Sequence, residues 1–435
     1  MDLMSLVSSI NNFLALPSTI IFISVAIILT LKHKFLQFRG FPRFVYLVTQ
    51  GLKPQTNAGN SKTINPFHAL FTAMGTTLGM GNIVGPSIAI LVGGPGALFW
   101  LVCYAFFASA TKYTEVVLAL NTRLKLPSGD IIGGPMQYLR LVSSAIATWY
   151  GIAMIFLMVG WSGLQANTLA SIFAQESIPH WMTGAGLAII VFMVLNGGAQ
   201  RIGLIASKLV PLMSILYIVF AFTILIKNPA GLRDALLLIG SSIFSPCAAI
   251  GGFMGATIMQ AVRAGTYKSI FITEAGLGTS SIPHAIADVQ QPTDQGILAM
   301  FSMAADAFLS FLSGLLALVT GLWIDSGFSN TIMYEVFKLN SPVAGRFVLL
   351  ITISLFVLTT AIGNSFNGSQ NFASFTRHRW IQGYNVAAVA IIFLGSLMNV
   401  PLIWNIMDVV LTFVAIPNLI GVVILAFRKP AWFKI

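Results

Sequence analysis

The sequence predicts an all-α polytopic membrane protein. It has eleven transmembrane helices, one at the N-terminus followed by a 5+5 inverted-repeat core whose first and sixth helices are broken. Of the 435 residues, 57% are hydrophobic and only 8% are charged, too few charges to clothe a soluble domain of this size. Apolar runs long enough for a bilayer core of about 30 Å follow one another along the chain. Two of these runs carry glycine clusters near their middles at corresponding places, the mark of an inverted-repeat transporter.

Taken in order, the apolar runs span about Leu16–Leu31, Pro66–Leu91, Pro95–Leu120, Ala147–Phe173, Trp181–Asn196 and Ile205–Ile226, then Phe244–Val262, Ile297–Trp323, Ala344–Phe366, Tyr384–Met398 and Ile403–Phe427. The first is preceded by Asp2 and by no Lys or Arg, and no small-residue cleavage pattern follows, so it reads as a retained anchor. The longest polar segments, about Lys32–Asn65 and Arg263–Gly296, read as loops or interfacial helices. The whole chain, 1–435, is expected to form one integral-membrane domain: 1–65 the N-terminal helix and a basic loop, 66–230 the first five-helix repeat, 231–435 the second.

Threading the helices alternately through the bilayer puts eighteen of the 23 Lys and Arg on one face, six of them in the first loop (Lys32, Lys34, Arg39, Arg43, Lys53, Lys62). The basic face is cytoplasmic, which sets the N-terminus outside and the C-terminus inside a bacterial inner membrane. The net charge of +11 is thus a topology signal and not a nucleic-acid footprint. Cys103 and Cys247 lie in apolar surroundings with no CxxC spacing, so neither a disulfide framework nor a metal site is expected.

The opening helix of each half carries its glycines near the centre, Gly75-Thr-Thr-Leu-Gly79-Met-Gly81-Asn82 in one and Gly251-Gly252-Phe253-Met254-Gly255 in the other. Glycine weakens a helix, and unwound backbone inside a bilayer is tolerated only where it lines a cavity or is buried in protein. Small residues also serve close helix packing, and that reading competes at either break taken alone. Two breaks in register, with Asn82 adjoining one of them, point to a shared site near the midplane.

Enzymatic constellations are missing from the pattern. His33, His68, His180, His284 and His378 fall at helix ends or loops, and none stands at ligand spacing from a Cys or carboxylate. Glu115, Asp306 and Asp408 lie at membrane depth, with Glu274 in a connection. Lys112 and Glu115, three apart on one helix face, read as a structural ion pair. Asp306 and Asp408 have no neighbour in sequence and read equally as cation or proton ligands and as hydrogen-bond anchors. Thr359 and Thr360 can offer hydroxyl oxygens to a cation, though Thr hydroxyls in membrane helices routinely bond back to the preceding turn.

Several segments carry a family resemblance: Gly79-Met-Gly-Asn-Ile-Val-Gly85, Gly93-Gly-Pro-Gly-Ala-Leu-Phe-Trp100, Thr111-Lys-Tyr-Thr-Glu115, Gly133-Gly-Pro-Met136, Gln165-Ala-Asn167, Gly197-Gly-Ala-Gln-Arg-Ile202, Glu274-Ala-Gly-Leu-Gly278, Gln295-Gly296 and Pro417-Asn418. In order and over nearly the whole chain, they resemble the alanine or glycine:cation symporters, whose fold is similar to that of the leucine transporter. The resemblance implies sodium-coupled uptake of a small neutral amino acid such as alanine, glycine or D-alanine, with sodium as coupling ion and no other cofactor. It implies a substrate site of Gly79, Gly81, Asn82, Gln165, Phe253, Thr257, Thr360 and Asn364. The sodium would sit among oxygens of Gly75, Leu78, Phe356, Thr359 and Thr360. Freed N–H groups suit an anion and freed carbonyls a cation, so the arrangement is physically coherent.

The chain departs from the family pattern where it has Asn364 in place of a usual Trp, Thr273 opening the Thr-Glu-Ala-Gly segment in place of Asn, and Ala307 following Asp306 in place of Thr. Replacing Trp by Asn adds volume and hydrogen-bonding capacity, which admits a larger or more polar amino acid. The alternatives are a proton-coupled or altered-specificity permease and, further off, a channel or a membrane enzyme. The partners expected are the amino acid, sodium and the lipid bilayer, with no nucleic acid, and the transporter is expected to act as a monomer.

Overall fold

A computed structural model describes residues 3–50, 63–246, 256–324, 331–377, 379–398 and 400–434. The chain starts with α1 (Leu3–Lys32), which runs on through Pro17, and two short helices, α2 (Leu36–Arg39) and α3 (Phe41–Gln50). The first core helix is split into α4 (Pro66–Thr77) and α5 (Met80–Gly93). Asn65 caps α4 by accepting from Phe67 N, with Pro66 at the first position where no N–H is needed. Then follow α6 (Gly96–Thr122), a small antiparallel hairpin of β1 (Leu124–Lys125) and β2 (Ile131–Ile132), and α7 (Pro135–Leu139). The half closes with α8 (Ser144–Ala174), α9 (His180–Leu195) and α10 (Gly198–Lys227).

The second half holds α11 (Pro229–Ser242), α12 (Ile258–Thr273), α13 (Ser281–Ala285), α14 (Pro292–Thr320) and α15 (Ile332–Asn340). It ends with α16 (Ala344–Thr376), α17 (Ile381–Gly395) and α18 (Val400–Arg428). Among the described residues, seven spans are long and apolar enough to cross a membrane, the α4–α5 pair counting as one, and α9 and α17 are shorter apolar helices.

Ten of the eleven apolar runs fall inside these helices or overrun their ends by at most about three residues. The seventh does not match: α12 begins only at Ile258 and continues to Thr273, while Phe253 and Gly251–Gly255 lie outside the described residues. The segment from Arg263 to Thr273, read as a loop or an interfacial helix, is instead the continuation of α12, and most of it is buried. Its polar side chains find partners inside: Tyr267 shares hydrogen bonds with Ser18 and Thr412, and Lys268 faces Asp408 at 3.9 Å and lies over the Trp404 ring at 4.1 Å. Small residues let α12 come close to α6; a Cβ on Gly265 would stand 2.8 Å from Leu101 N.

The inner layer comprises α4, α5, α12, α14 and α16, packed on α6, α8 and α10. Outward faces of α9, α10 and α17 leave Ile190, Ile215, Val219, Ile226 and Val386 exposed, as suits helices whose solvent is lipid. Polar pairing is concentrated inside instead, around the break in the first core helix.

Candidate functional site

The break is short. Leu78 (φ −79°, ψ 86°) and Gly79 (φ −132°, ψ −163°) leave helical geometry between Thr77 and Met80. Gly75 lies in the last turns of α4 and Gly81 in the first turn of α5, so the interruption spans two residues and not the whole glycine cluster. Ending one helix and starting another strands carbonyls on one side and N–H groups on the other.

Carbonyls first. The Thr360 hydroxyl, on α16, reaches Gly75 O at 3.0 Å and Leu78 O at 3.3 Å. Beside it the Thr359 hydroxyl donates to Phe356 O at 3.0 Å and Leu355 O at 3.0 Å. Gly75 itself is not forced by space, since a Cβ there would stand at ordinary contact distance, 3.7 Å, from Thr359 Cβ. Of the five residues expected around a cation, the structure brings together the oxygens of Gly75, Leu78 and Thr360 at the crossing of α4 and α16, while the Thr359 hydroxyl bonds back to its own helix and lies 3.6 Å from Met213 Sδ.

The donors lie on the other side of the break. Met80 N donates to Gln165 Oε1 at 3.2 Å, from α8. Gly79 N donates to Asn82 Oδ1 at 3.1 Å, and Asn82 Nδ2 donates in turn to Asp306 O at 3.2 Å and Ser310 Oγ at 3.3 Å on α14. Asn82 therefore holds the start of α5 in place, while the Gln165 amide oxygen sits where an anionic oxygen could take the Met80 N–H. Gly79 has extended backbone that any residue adopts; what requires glycine is space, because a Cβ would lie 2.5 Å from Thr360 Oγ1 and 3.1 Å from Gln165 Nε2.

Gly81 serves packing: a Cβ there would stand 2.8 Å from Cε1 of Phe271 on α12. Thr257 is exposed and caps α12, its hydroxyl accepting from Gln260 N at 3.2 Å. Asn364 is fully buried one turn beyond Thr360, and neither its Nδ2 nor its Oδ1 has a partner. Phe253 lies outside the described residues.

The acids sort differently from the expectation. Lys112 Nζ faces Asp306 Oδ2 at 3.9 Å and donates to Thr273 O at 3.2 Å, so its ion pair is with Asp306 across α6 and α14 and not with Glu115. Asp306 also accepts from the Thr77 hydroxyl at 3.0 Å, beside the break. Glu115 instead accepts from Asn418 Nδ2 at 2.7 Å and Gly276 N at 3.1 Å. Glu274, at φ 56°, ends α12 and takes the hydroxyls of Thr279, Ser280 and Thr76. Spacing of three within one helix had suggested the nearer partner; the side chains of Lys112 and Glu115 leave the helix toward different neighbours.

The family-model comparison matches the sodium:alanine symporter family over residues 1–431. The chain belongs to that family. It is 33% identical to the sodium/alanine symporter AgcS of Methanococcus maripaludis, across 98% of this chain and 95% of the relative. It is 31% identical to the probable sodium/glutamine symporter GlnT of Bacillus subtilis, across 94% and 85%. Among solved structures it superposes on MhsT in complex with L-phenylalanine with a TM-score of 0.62 at 15% identity, covering 84% of this chain and 89% of the other. A manganese transporter of Eremococcus coleocola follows at a TM-score of 0.58 and 12% identity, covering 85% and 81%. The leucine-transporter-like fold expected from the resemblance is therefore present, and this member of the sodium:alanine symporter family is a membrane transporter of the cation-coupled amino acid class, not an enzyme.

Two aromatic residues of the site were not singled out in the sequence. Trp161 packs edge-on against Phe271 with centroids 5.1 Å apart, and Phe271 in turn meets Trp404 at 5.0 Å. Only the position of Trp161 one turn before Gln165 on α8 could have flagged it, and aromatic residues at helical spacing are mostly core.

Proposed function

We propose that the protein is a sodium-coupled symporter that brings a neutral amino acid into the cell across a bacterial inner membrane, with alanine and glycine as reference substrates. The observation that carries the reading is the Thr360 hydroxyl standing between Gly75 O and Leu78 O. A hydroxyl and stranded carbonyls with no acid among them suit a weakly charged hard cation. The Met80 and Gln165 pair supports a carboxylate site beside it, and the sodium-symporter names of AgcS and GlnT agree with the coupling ion. The repeats 66–230 and 231–435, the outward N-terminus and a monomeric working unit complete the proposal.

A proton-coupled reading has its own observation, the buried Asp306 against Thr77 and Lys112. Uptake of labelled alanine and glycine into proteoliposomes under an imposed sodium gradient, proton gradient or neither separates the two. Sodium-driven accumulation is expected; equal accumulation driven by protons without sodium would replace this reading.

A further inference from the structure

Buried amides with nothing to bond are uncommon, and each asks for an explanation. On α16 two of them follow each other by one turn: Asn364 and Asn367 are both 0% exposed, and all four of their side-chain amide atoms lack a partner. They lie on the stripe that begins with Thr360 and ends with Asn371, which donates to Gly151 O on α8 at 2.7 Å. Its Asn371 end meets α8, and its Thr360 end meets the break in the first core helix beside Gln165 of α8. A Cβ on Gly79 would meet both Thr360 and Gln165, and one on Gly368 would lie 3.2 Å from Met158 Cβ. The two helices thus run antiparallel in register, which sets Trp161, one turn before Gln165, level with Asn364, one turn after Thr360. The Trp161 indole N–H is also buried and without a partner.

We infer that this buried polar stretch between α8 and α16 recognises a side-chain carboxamide, so that a glutamine-like substrate is preferred over the reference substrates alanine and glycine. The inference rests on the proposed amino acid symport and narrows it. With the α-carboxylate at Met80 N and Gln165, the side chain must cover about one helical turn, 5.4 Å, to reach Asn364. Two methylenes and an amide cover that span; the methyl of alanine does not reach. Asn364 offers two N–H donors and an acceptor oxygen, and a carboxamide answers both in one reciprocal pair, leaving its oxygen a second donor in the Trp161 indole. A carboxylate side chain would leave the Asn364 oxygen unpaired and would need a cation, and Lys112 is committed to Asp306. An ammonium would leave the Asn364 and Trp161 donors unpaired, and an aliphatic side chain would leave every one of these groups unsatisfied.

The test is competition between labelled glutamine and unlabelled glutamine, asparagine, glutamate, alanine and leucine in proteoliposomes of the full chain under a sodium gradient. Glutamine is expected to outcompete alanine by at least about tenfold, the worth of a satisfied hydrogen-bond pair, with glutamate and leucine weaker still. Asn364→Leu should bring the glutamine-to-alanine ratio to near one, and Trp161→Phe, which removes only the N–H donor beside a retained ring, should lower it about threefold to tenfold. Sodium-dependent thermal stabilisation reports whether each variant is folded; if Asn364→Leu is not, wild type and Trp161→Phe decide. Glutamine binding no better than alanine, or a ratio unmoved by the substitutions, overturns the inference and assigns these amides to trapped water. Absence of sodium-driven uptake for every amino acid would instead remove the underlying symport reading.

Discussion

Replacing Thr360 by Val keeps the β-branched shape and deletes one oxygen, and its consequence for sodium can be worked from the geometry. Without an ion, the hydroxyl lies 3.0 Å from Gly75 O and 3.3 Å from Leu78 O, bonds worth about 0.5–1.5 kcal/mol net. With an ion, the same oxygen turns its lone pairs to the cation, a charge-assisted contact worth about 1.5–3 kcal/mol. The loss is thus greater in the ion-bound state by about 1–2 kcal/mol, which predicts a rise of about 5- to 30-fold in the sodium concentration for half-maximal uptake. Thr360→Ser keeps the oxygen and should stay within about threefold of wild type. Uptake against sodium concentration in proteoliposomes gives one readout, and sodium-dependent thermal stabilisation in detergent gives a second that needs no transport. An unchanged sodium dependence in Thr360→Val by both readouts would refute the placement of the cation at this crossing.

Further outcomes follow from neighbouring contacts. Gly81→Leu should abolish uptake, and Gly81→Ala should cost about 1–3 kcal/mol of stability, because the added Cβ meets Phe271 at 2.8 Å; a thermal midpoint for Gly81→Ala equal to wild type would show that α5 and α12 yield freely there. Lys112→Met or Asp306→Asn alone should destabilise by about 3–5 kcal/mol by stranding a buried charge, while the double change should cost much less than the sum; strict additivity in thermal denaturation would mean the two do not form a pair. His33, just past the end of α1, is held down to a pKa of about 4 by burial and by Lys32, with its ring against Tyr113 and its Nε2 2.9 Å from Thr114 Oγ1. A folded-state value below the ordinary 6.5 means that the unfolded chain binds the proton more readily, so stability falls as pH drops from about 6.5 to 4, by about 2–3 kcal/mol. His33→Gln should flatten that slope in detergent melts; an identical slope in the variant would place the titration elsewhere.

Hydrophobic run length made most of the fold legible, because a bilayer selects for it directly, and the glycine cluster marked the break at Leu78–Gly79 because little else tolerates three glycines within seven residues. The seventh apolar run was misplaced for a physical reason. The α12 sequence looks soluble, with Arg263, Tyr267 and Lys268, and becomes buried only through partners far away in the chain, such as Ser18, Asp408 and Trp404. The same distance hid the Lys112–Asp306 pair, whereas Glu115, three residues away, was visible and misleading. Thr359 and Thr360 were readable as an oxygen pair, but that Thr360 abandons its own helix to bond Gly75 and Leu78 is a fact of packing that no local pattern contains.

The division of labour among the motif residues explains why family membership leaves the substrate open. Glu115, Gly276, Asn418 and Tyr138 form one connected hub: Asn418 donates to Glu115 and to Gly276 O, and the Tyr138 hydroxyl reaches Asn418 Oδ1 at 2.6 Å. Gly278 (φ 77°) must lack a side chain because a Cβ would lie 2.8 Å from that same hydroxyl. These residues fix where α12 ends and how α6, α7 and α18 meet it. Asn82 does the equivalent for the start of α5, tying it to α14. The motifs that carry the resemblance therefore specify largely the frame that holds a broken helix open in an apolar medium. On the inference drawn above, specificity falls to residues the frame does not use, and Asn364, with two unmet amide atoms, is the proposed position. The frame leaves single oxygens unmet, such as Glu115 Oε2 and Asp306 Oδ2, whereas Asn364 has both ends of its amide unmet, and that difference is what supports reading it as a residue addressed to the substrate.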